Sequence, residues 1–331
     1  MAVLINANGQ VDASTALTGV YNGNNPRSVY SADRSSFYVS GQGTSGDTTG
    51  GVFYATRGSH TATAITGLDA TGNTVAQDTR YVQVYNGQLL VSADSKQGSG
   101  NSRDFIGTLG AAGAPPTALA NGGAGATQLS GFGGSKSGTL VVTAANGNGI
   151  NPVGKTVNLS PEAFYFAAKD TLYVADSGVP KNTSGNSSTL GDGGLQKWSN
   201  SKADGSGTWT LDYTVAAGLN LVANTAAAGT TGLLSLTGKV LGNGQVELYA
   251  TNYTAGDTDQ TYLYGVSDTL SATSKAAGES FTMLAAAPAD SNFKGLSFAP
   301  TSLAAVPEPS TVLMFGAGLA GLMLVRRRQQ R

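Results

Sequence analysis

Residues 1–305 show no sustained helical period. They show short runs of four to seven residues, rich in Val, Tyr, Leu, Thr and Phe, cut by Gly, Asn, Asp and Ser. That is the pattern of strands separated by turns. Many runs alternate, as in Arg80-Tyr-Val-Gln-Val-Tyr85, where the valines fall on one side and Tyr, Gln and Tyr on the other, so each strand buries one face.

The runs recur as a theme of apolar strand, polar loop and aromatic-bearing strand. Ser36–Gly41 is followed by Gly51–Thr56, Gly87–Ala93 by Arg103–Thr108, Asp170–Asp176 by Gly194–Trp198, and Gly244–Thr251 by Gln260–Gly265. Gly138–Ala144 is a weaker fifth copy. A strand often precedes each copy (Arg27–Ser31, Tyr81–Tyr85, Ala163–Ala167, Leu233–Thr237), and another often follows (Ala62–Thr66, Gly207–Asp212, Ser280–Leu284). About four strands per unit, and about 300 residues at roughly 40–50 per unit, predict an all-β fold: a β-propeller of six or seven four-stranded blades. A β-solenoid or β-sandwich is the competing fold, but a solenoid needs a shorter and stricter period. Ring closure would join Ala2–Val20 to Lys294–Pro300, which reads like the first strand of a unit with nothing after it. Ala111–Gly125 reads as a surface loop of low complexity. Asp170–Gly178, DTLYVADSG, resembles the strand-turn signature of NHL-type propellers over nine residues.

Composition narrows the chemistry. The 47 glycines and 12% charged residues describe a surface solubilised by hydroxyls and amides. Net charge is −1 with no basic block before the C-terminus, so nucleic acid is not an expected partner. The absence of cysteine excludes disulfides and thiolate chemistry. His60 is the only histidine; it reads as a surface turn residue, and alone it builds neither a zinc site nor a histidine-based triad. The chain has four glutamates, Glu162, Glu247, Glu279 and Glu308. Glu162, after Ser160-Pro161, could face a propeller channel, yet no second acid pairs with it by sequence, and a cap or turn role is the plainer reading. No catalytic residue is assigned and no cofactor is expected, calcium being the one ion the polar loops could hold. Asp257 and Asp259 are its first candidate ligands, although turn carboxylates mostly bond their own backbone. The pairs Gly50-Gly51, Gly133-Gly134 and Gly193-Gly194 read as turns and not phosphate loops. Most aromatics alternate along strands and read as core; Tyr21 and Tyr253, in polar loops, are the candidates for contact with a glycan.

The last 26 residues differ from all of this. Val306, Pro307, Glu308 and Pro309 precede an uncharged apolar block, Thr311–Val325, then Arg326, Arg327 and Arg328. As a helix the block would rise about 22 Å, short for a bilayer span. Its Gly316, Gly318 and Gly321 are of a kind common in membrane helices, and Phe315 lies among them. The arginines should stay on the cytoplasmic side. This order of motif, apolar helix and basic end resembles a PEP-CTERM sorting signal. The resemblance covers less than a tenth of the chain. It implies an exported protein of a Gram-negative, exopolysaccharide-making bacterium, with exosortase as partner and the inner membrane as anchor before processing. The same tail occurs on some ice-binding-type proteins, so it is an address and not an activity. An ordinary membrane anchor or a core helix is the plainer alternative.

Taken together, the sequence predicts a propeller-like exported domain over 1–298, a linker over 299–305 and a sorting signal over 306–331. The expected role is non-catalytic, binding or structural, at the cell surface or within the exopolysaccharide of a biofilm matrix. A propeller hydrolase, lactonase or lyase acting on matrix glycans, and an ice-binding surface, are the alternatives. Met1-Ala-Val-Leu-Ile-Asn6 lacks the basic start and apolar run of an export signal, so a longer natural N-terminus is expected.

Overall fold

The computed structural model describes residues 1–44, 47–66, 78–93, 104–120, 126–132, 139–141, 156–178, 192–223, 230–254 and 260–300. The named elements among them are all β-strands, and no α-helix occurs among the described residues. The predicted C-terminal helix, Thr311–Val325, lies outside the described residues.

The chain divides into two compact units, Met1–Ala2 with Ala13–Ser297, and Val3–Asp12 with Phe298–Arg331. In the smaller unit, Asn6 organises a turn between β1 (Ala2–Ile5) and β2 (Val11–Thr15): its Oδ1 accepts from the amides of Asn8 and Gln10.

The larger unit contains four antiparallel sheets of four strands each. Sheet I is β3 (Pro26–Tyr30), β4 (Ser36–Gly41), β5 (Gly51–Thr56) and β6 (Thr63–Ala64). Sheet II is β7 (Thr79–Tyr85), β8 (Gln88–Ala93), β9 (Phe105–Leu109) and β10 (Thr127–Gln128). A two-stranded ribbon follows, β11 (Thr139–Val141) with β12 (Thr156–Asn158). Sheet III is β13 (Pro161–Ala168), β14 (Thr171–Asp176), β15 (Gly194–Asn200) and β16 (Trp209–Val215). Sheet IV is β17 (Leu233–Val240), β18 (Gln245–Asn252), β19 (Tyr262–Thr269) and β20 (Thr282–Ala286). Within every sheet each strand pairs with its neighbour in sequence, the meander of a propeller blade.

The arrangement is propeller-like, but the predicted six or seven blades are corrected to four four-stranded sheets among the described residues. The four strong copies of the theme became the four sheets; the weak fifth became the two-stranded ribbon. The described strands fill four meanders, fewer than the length divided by a blade period predicts. Residues 291–300 form no strand, so the predicted first strand at Lys294–Pro300 is absent, and β1 pairs with β2 in a separate two-stranded sheet.

Alternation decides how the sheets stack. Three buried apolar clusters lie between successive sheets. Tyr38, Val52, Ile65, Val82, Leu89 and Val91 join I to II. Leu90, Ile106, Phe164, Phe166, Trp198 and Trp209 join II to III. Tyr173, Leu195, Tyr213, Leu236, Leu248 and Tyr264 join III to IV. Trp198 and Trp209 are core residues, as their alternation predicts; Trp198 stacks on Phe132 with ring centroids 3.8 Å apart. The second face of sheet I is covered by the segment before it. Tyr21 packs edge-on against Phe53 and donates its hydroxyl to the Gly51 carbonyl, 3.2 Å.

Candidate functional site

The first strands of the sheets carry charge where a pure core would not. The second residue of β3 is Arg27, of β7 Arg80, of β13 Glu162 and of β17 Leu234. The first three form a chain through Asp78, just ahead of β7. Arg27 reaches Asp78 at 3.1 Å, Arg80 reaches Asp78 at 3.4 Å, and Arg80 reaches Glu162 at 3.5 Å. Arg27 also donates to Gln42 Oε1, 3.2 Å. The Glu162 side chain is 3% exposed and those of Arg80 and Asp78 are 11% exposed. Two guanidiniums face two carboxylates, so the chain is charge-balanced. Removing Arg80, which faces both carboxylates, would leave buried negative charge under-compensated at about 3–5 kcal/mol, while the intact chain adds little net stability.

A second device keeps this chain in register. The fifth residues of β4 and β8 are Ser40 and Ser92. Ser40 donates to the Arg80 carbonyl at 3.1 Å, and Ser92 to the Glu162 carbonyl at 3.0 Å. Each sheet therefore grips the backbone of the next at the residue that carries the charge. Beyond sheet II the position changes to Ala175, and Asp176 takes over as an acceptor. It binds the amides of Ser160 and Gly178 and the Gln196 side chain, at 2.7, 2.8 and 2.9 Å. Thr231, ahead of sheet IV, donates to the Ser177 carbonyl, 2.8 Å. Gly178 and Gly193 pack backbone to backbone against the Thr231 carbonyl, where a Cβ on either would clash. Gly51 and Gly194 open β5 and β15, so these glycines start strands besides forming turns.

Between sheets III and IV lies a buried network built on a lysine. Lys197 is 1% exposed, and its Nζ lies 2.9 Å from Asp268 and donates to the Thr269 carbonyl at 2.6 Å. Tyr173 and Tyr213 donate to the two oxygens of Asp268 at 2.6 and 2.7 Å, and both rings lie 5.5 Å from Nζ. Burial first, then Asp268, pushes both phenols far above their ordinary range, so they stay donors. Asp212 sits where β16 bulges against β15. It accepts from Ser199 at 2.8 Å, while its Oδ2 has no donor among the described residues. Burial raises its carboxyl to about 6, against the pull of Ser199 and Lys197.

The residues singled out in the sequence fall in different places. Glu162 is indeed buried on a first strand, but as a partner of Arg80 and not as a cap. Its companions Arg27, Asp78 and Arg80 went unrecognised; the cue was a charge as the second residue of three first strands. His60 is exposed in a turn, its Nδ1 3.2 Å from the Ala16 carbonyl. Tyr21 is corrected: it is buried, 7% exposed, and holds down sheet I. Tyr253 is half-buried. Among the described residues no three His, Cys, Asp or Glu side chains come together to hold a metal. The calcium candidates Asp257 and Asp259 lie outside the described residues, as do Val306–Pro309, the apolar block and Arg326–Arg328.

Fold and charge pattern together define an all-β, propeller-like body whose sheets are keyed by paired charges. The chain carries, in addition, a PEP-CTERM protein-sorting motif, which matches residues 305–328. A motif of that kind implies an exported protein, anchored in the membrane before exosortase cleavage. No curated protein matches the chain. Among solved structures, the endo-arabinase of Bacteroides thetaiotaomicron VPI-5482 is similar at a TM-score of 0.38 and 11% identity, covering 78% of this chain and 79% of that one.

Proposed function

We propose that this is an exported surface protein, released by exosortase, whose β body binds or scaffolds within an exopolysaccharide layer without catalysing a reaction. The sorting motif at residues 305–328 carries the reading. In it, Val306–Pro309 is the recognition segment, Thr311–Val325 the anchor and Arg326–Arg328 the cytoplasmic stop. The non-catalytic part draws support from the first-strand chain, where Asp78 and Glu162 each face a guanidinium. Groups committed to one another are poor candidates for glycoside hydrolysis, which needs two carboxyl groups held at a set separation across the scissile bond.

The test uses cells that make both exosortase and exopolysaccharide, with the protein exported into their envelope. The chain is expected at the surface in a shortened form, and Pro307→Ala/Glu308→Ala is expected to leave it full-length in the membrane fraction. Surface protein should co-sediment with the polysaccharide without releasing reducing ends. Unchanged processing of the double variant would sink the sorting assignment; steady release of reducing ends would make the protein an enzyme.

A further inference from the structure

Sheet IV has two unlike faces. One, with Leu236, Leu248 and Tyr264, is buried against sheet III. The other carries Thr237 on β17, Gln245, Glu247 and Tyr249 on β18, and Ser267 and Thr269 on β19. Ser267 pairs with Glu247 across the strands and Thr269 with Gln245. No apolar cluster covers this face among the described residues; Ser267 and Thr269 are exposed, and Glu247 and Tyr249 half-buried.

At its lower end the face runs into a cavity of about 320 Å³, walled by the loop after β19. Gln245, Ser267, Asp268, Thr269 and Glu279 supply its polar lining, and three alanines of the loop, Ala272, Ala276 and Ala277, supply the rest with Gly278. The volume lies at the small end of sites for small molecules, about 300–1,000 Å³. The described lining contains no lysine or arginine. Asp268 is already served by Lys197 and two tyrosines on its far side. Glu279 is not: one oxygen accepts from the Ala276 amide at 3.1 Å, and Oε1 is buried without a hydrogen-bond partner. Burial first, then Asp268, raises the Glu279 carboxyl, with the Ala276 amide, Lys275 and Lys197 pulling the other way. Hydroxyl and amide groups, an apolar wall and an unsatisfied carboxylate form a cradle for a polyhydroxylated ring bearing a positive charge.

We propose that this cavity binds an amino sugar, a hexose unit with a free ammonium group in a glucosamine-containing polysaccharide, with the ammonium on Glu279 and the ring hydroxyls on Gln245, Ser267 and Thr269. The proposal rests on the polysaccharide-binding reading above. The excess of carboxylate disfavours uronic-acid chains, and N-acetylation would remove the charge that Glu279 needs.

Calorimetry on the full chain would compare glucosamine tetramer with its N-acetylated form, a neutral glucose tetramer and a galacturonate tetramer. The free amine should bind tightest, by about tenfold or more over the acetylated form, the worth of one charge-assisted hydrogen bond. Glu279→Gln should erase that preference without lowering the melting temperature, and Ala277→Trp should block binding by filling the cavity with the melting temperature unchanged. Equal binding of free and acetylated forms overturns the proposal. So does binding indifferent to both substitutions, or spermidine competing as well as the sugar. If the protein binds its host polysaccharide and neither substitution matters, the cavity assignment falls while the binding function stands. No binding to any polysaccharide removes both.

Discussion

Asp212 shows how one residue can set a pH dependence. Its folded carboxyl is raised to about 6, above an unfolded value near 4. The fold therefore holds this proton more tightly than the unfolded chain does. The contribution of Asp212 is most favourable below about pH 4, falls as pH rises from about 4 to 6, and is flat above. Lys197 and Asp268 are its charged neighbours, and Lys197 already offsets part of the penalty. Asp212→Asn keeps an acceptor for Ser199 and cannot ionise. It is expected to stabilise the protein by about 1–2 kcal/mol at pH 7.5, discounted for partial hydration, and by nothing at pH 4. Urea titrations at the two pH values decide this; a difference that does not change between them would refute the assignment of the cost to Asp212.

At the scale of elements, the contact between Tyr21 and β4 is the most sensitive to a small change. A Cβ on Gly41 would lie 2.9 Å from the Tyr21 ring and closer still to the Asn25 carbonyl. Gly41→Val should cost about 2 kcal/mol or more through overpacking, read as a lowered urea midpoint, and Tyr21→Ala should recover part of it. A neutral Gly41→Val would mean that the segment before β3 does not hold sheet I. This contact was not legible in the sequence. Tyr21 stands in Val-Tyr-Asn-Gly-Asn, a polar turn by composition, and its φ of 52° places it in the left-handed region, from which the ring folds back over the sheet. Only the tertiary approach of β4 makes it core. The strands themselves were legible because alternation needs only the local sequence: Pro26–Tyr30, Ser36–Gly41 and Gly51–Thr56 fall where the apolar runs place them. Thr127–Gln128, two residues without an apolar pattern, was missed. The first-strand charges were half legible. Glu162 stood out as one of four glutamates, whereas Arg27 and Arg80 read as ordinary strand residues until the fold brings Asp78 to the first and Glu162 to the second.

For the whole molecule, the two strongest signals in the sequence were independent. The C-terminal motif is contiguous, so residues 305–328 identify themselves without any fold. The number of sheets is not contiguous information; it depends on which runs find neighbours. Function follows the same division. An address can be read from 24 adjacent residues, whereas the cavity on sheet IV needs Gln245, Ser267 and Glu279 brought together from two strands and a loop.

The three apolar clusters have one more consequence. Among the described residues they run in order from sheet I to sheet IV, with Tyr81 of β7 packing against both the second and the third, and none joins sheet IV back to sheet I. Sheets joined only in this way would behave as beads on a string, each stabilised by its nearest neighbours, as in a repeat array. The middle beads have two such neighbours and the terminal beads one. Native-state amide exchange should therefore be slowest in β8 and β14, near the global unfolding free energy, and faster in β4 and β18. Fraying from the ends inward would let sheet IV loosen while II and III persist. Uniform protection across all four central strands would mean that the string is tied into a loop.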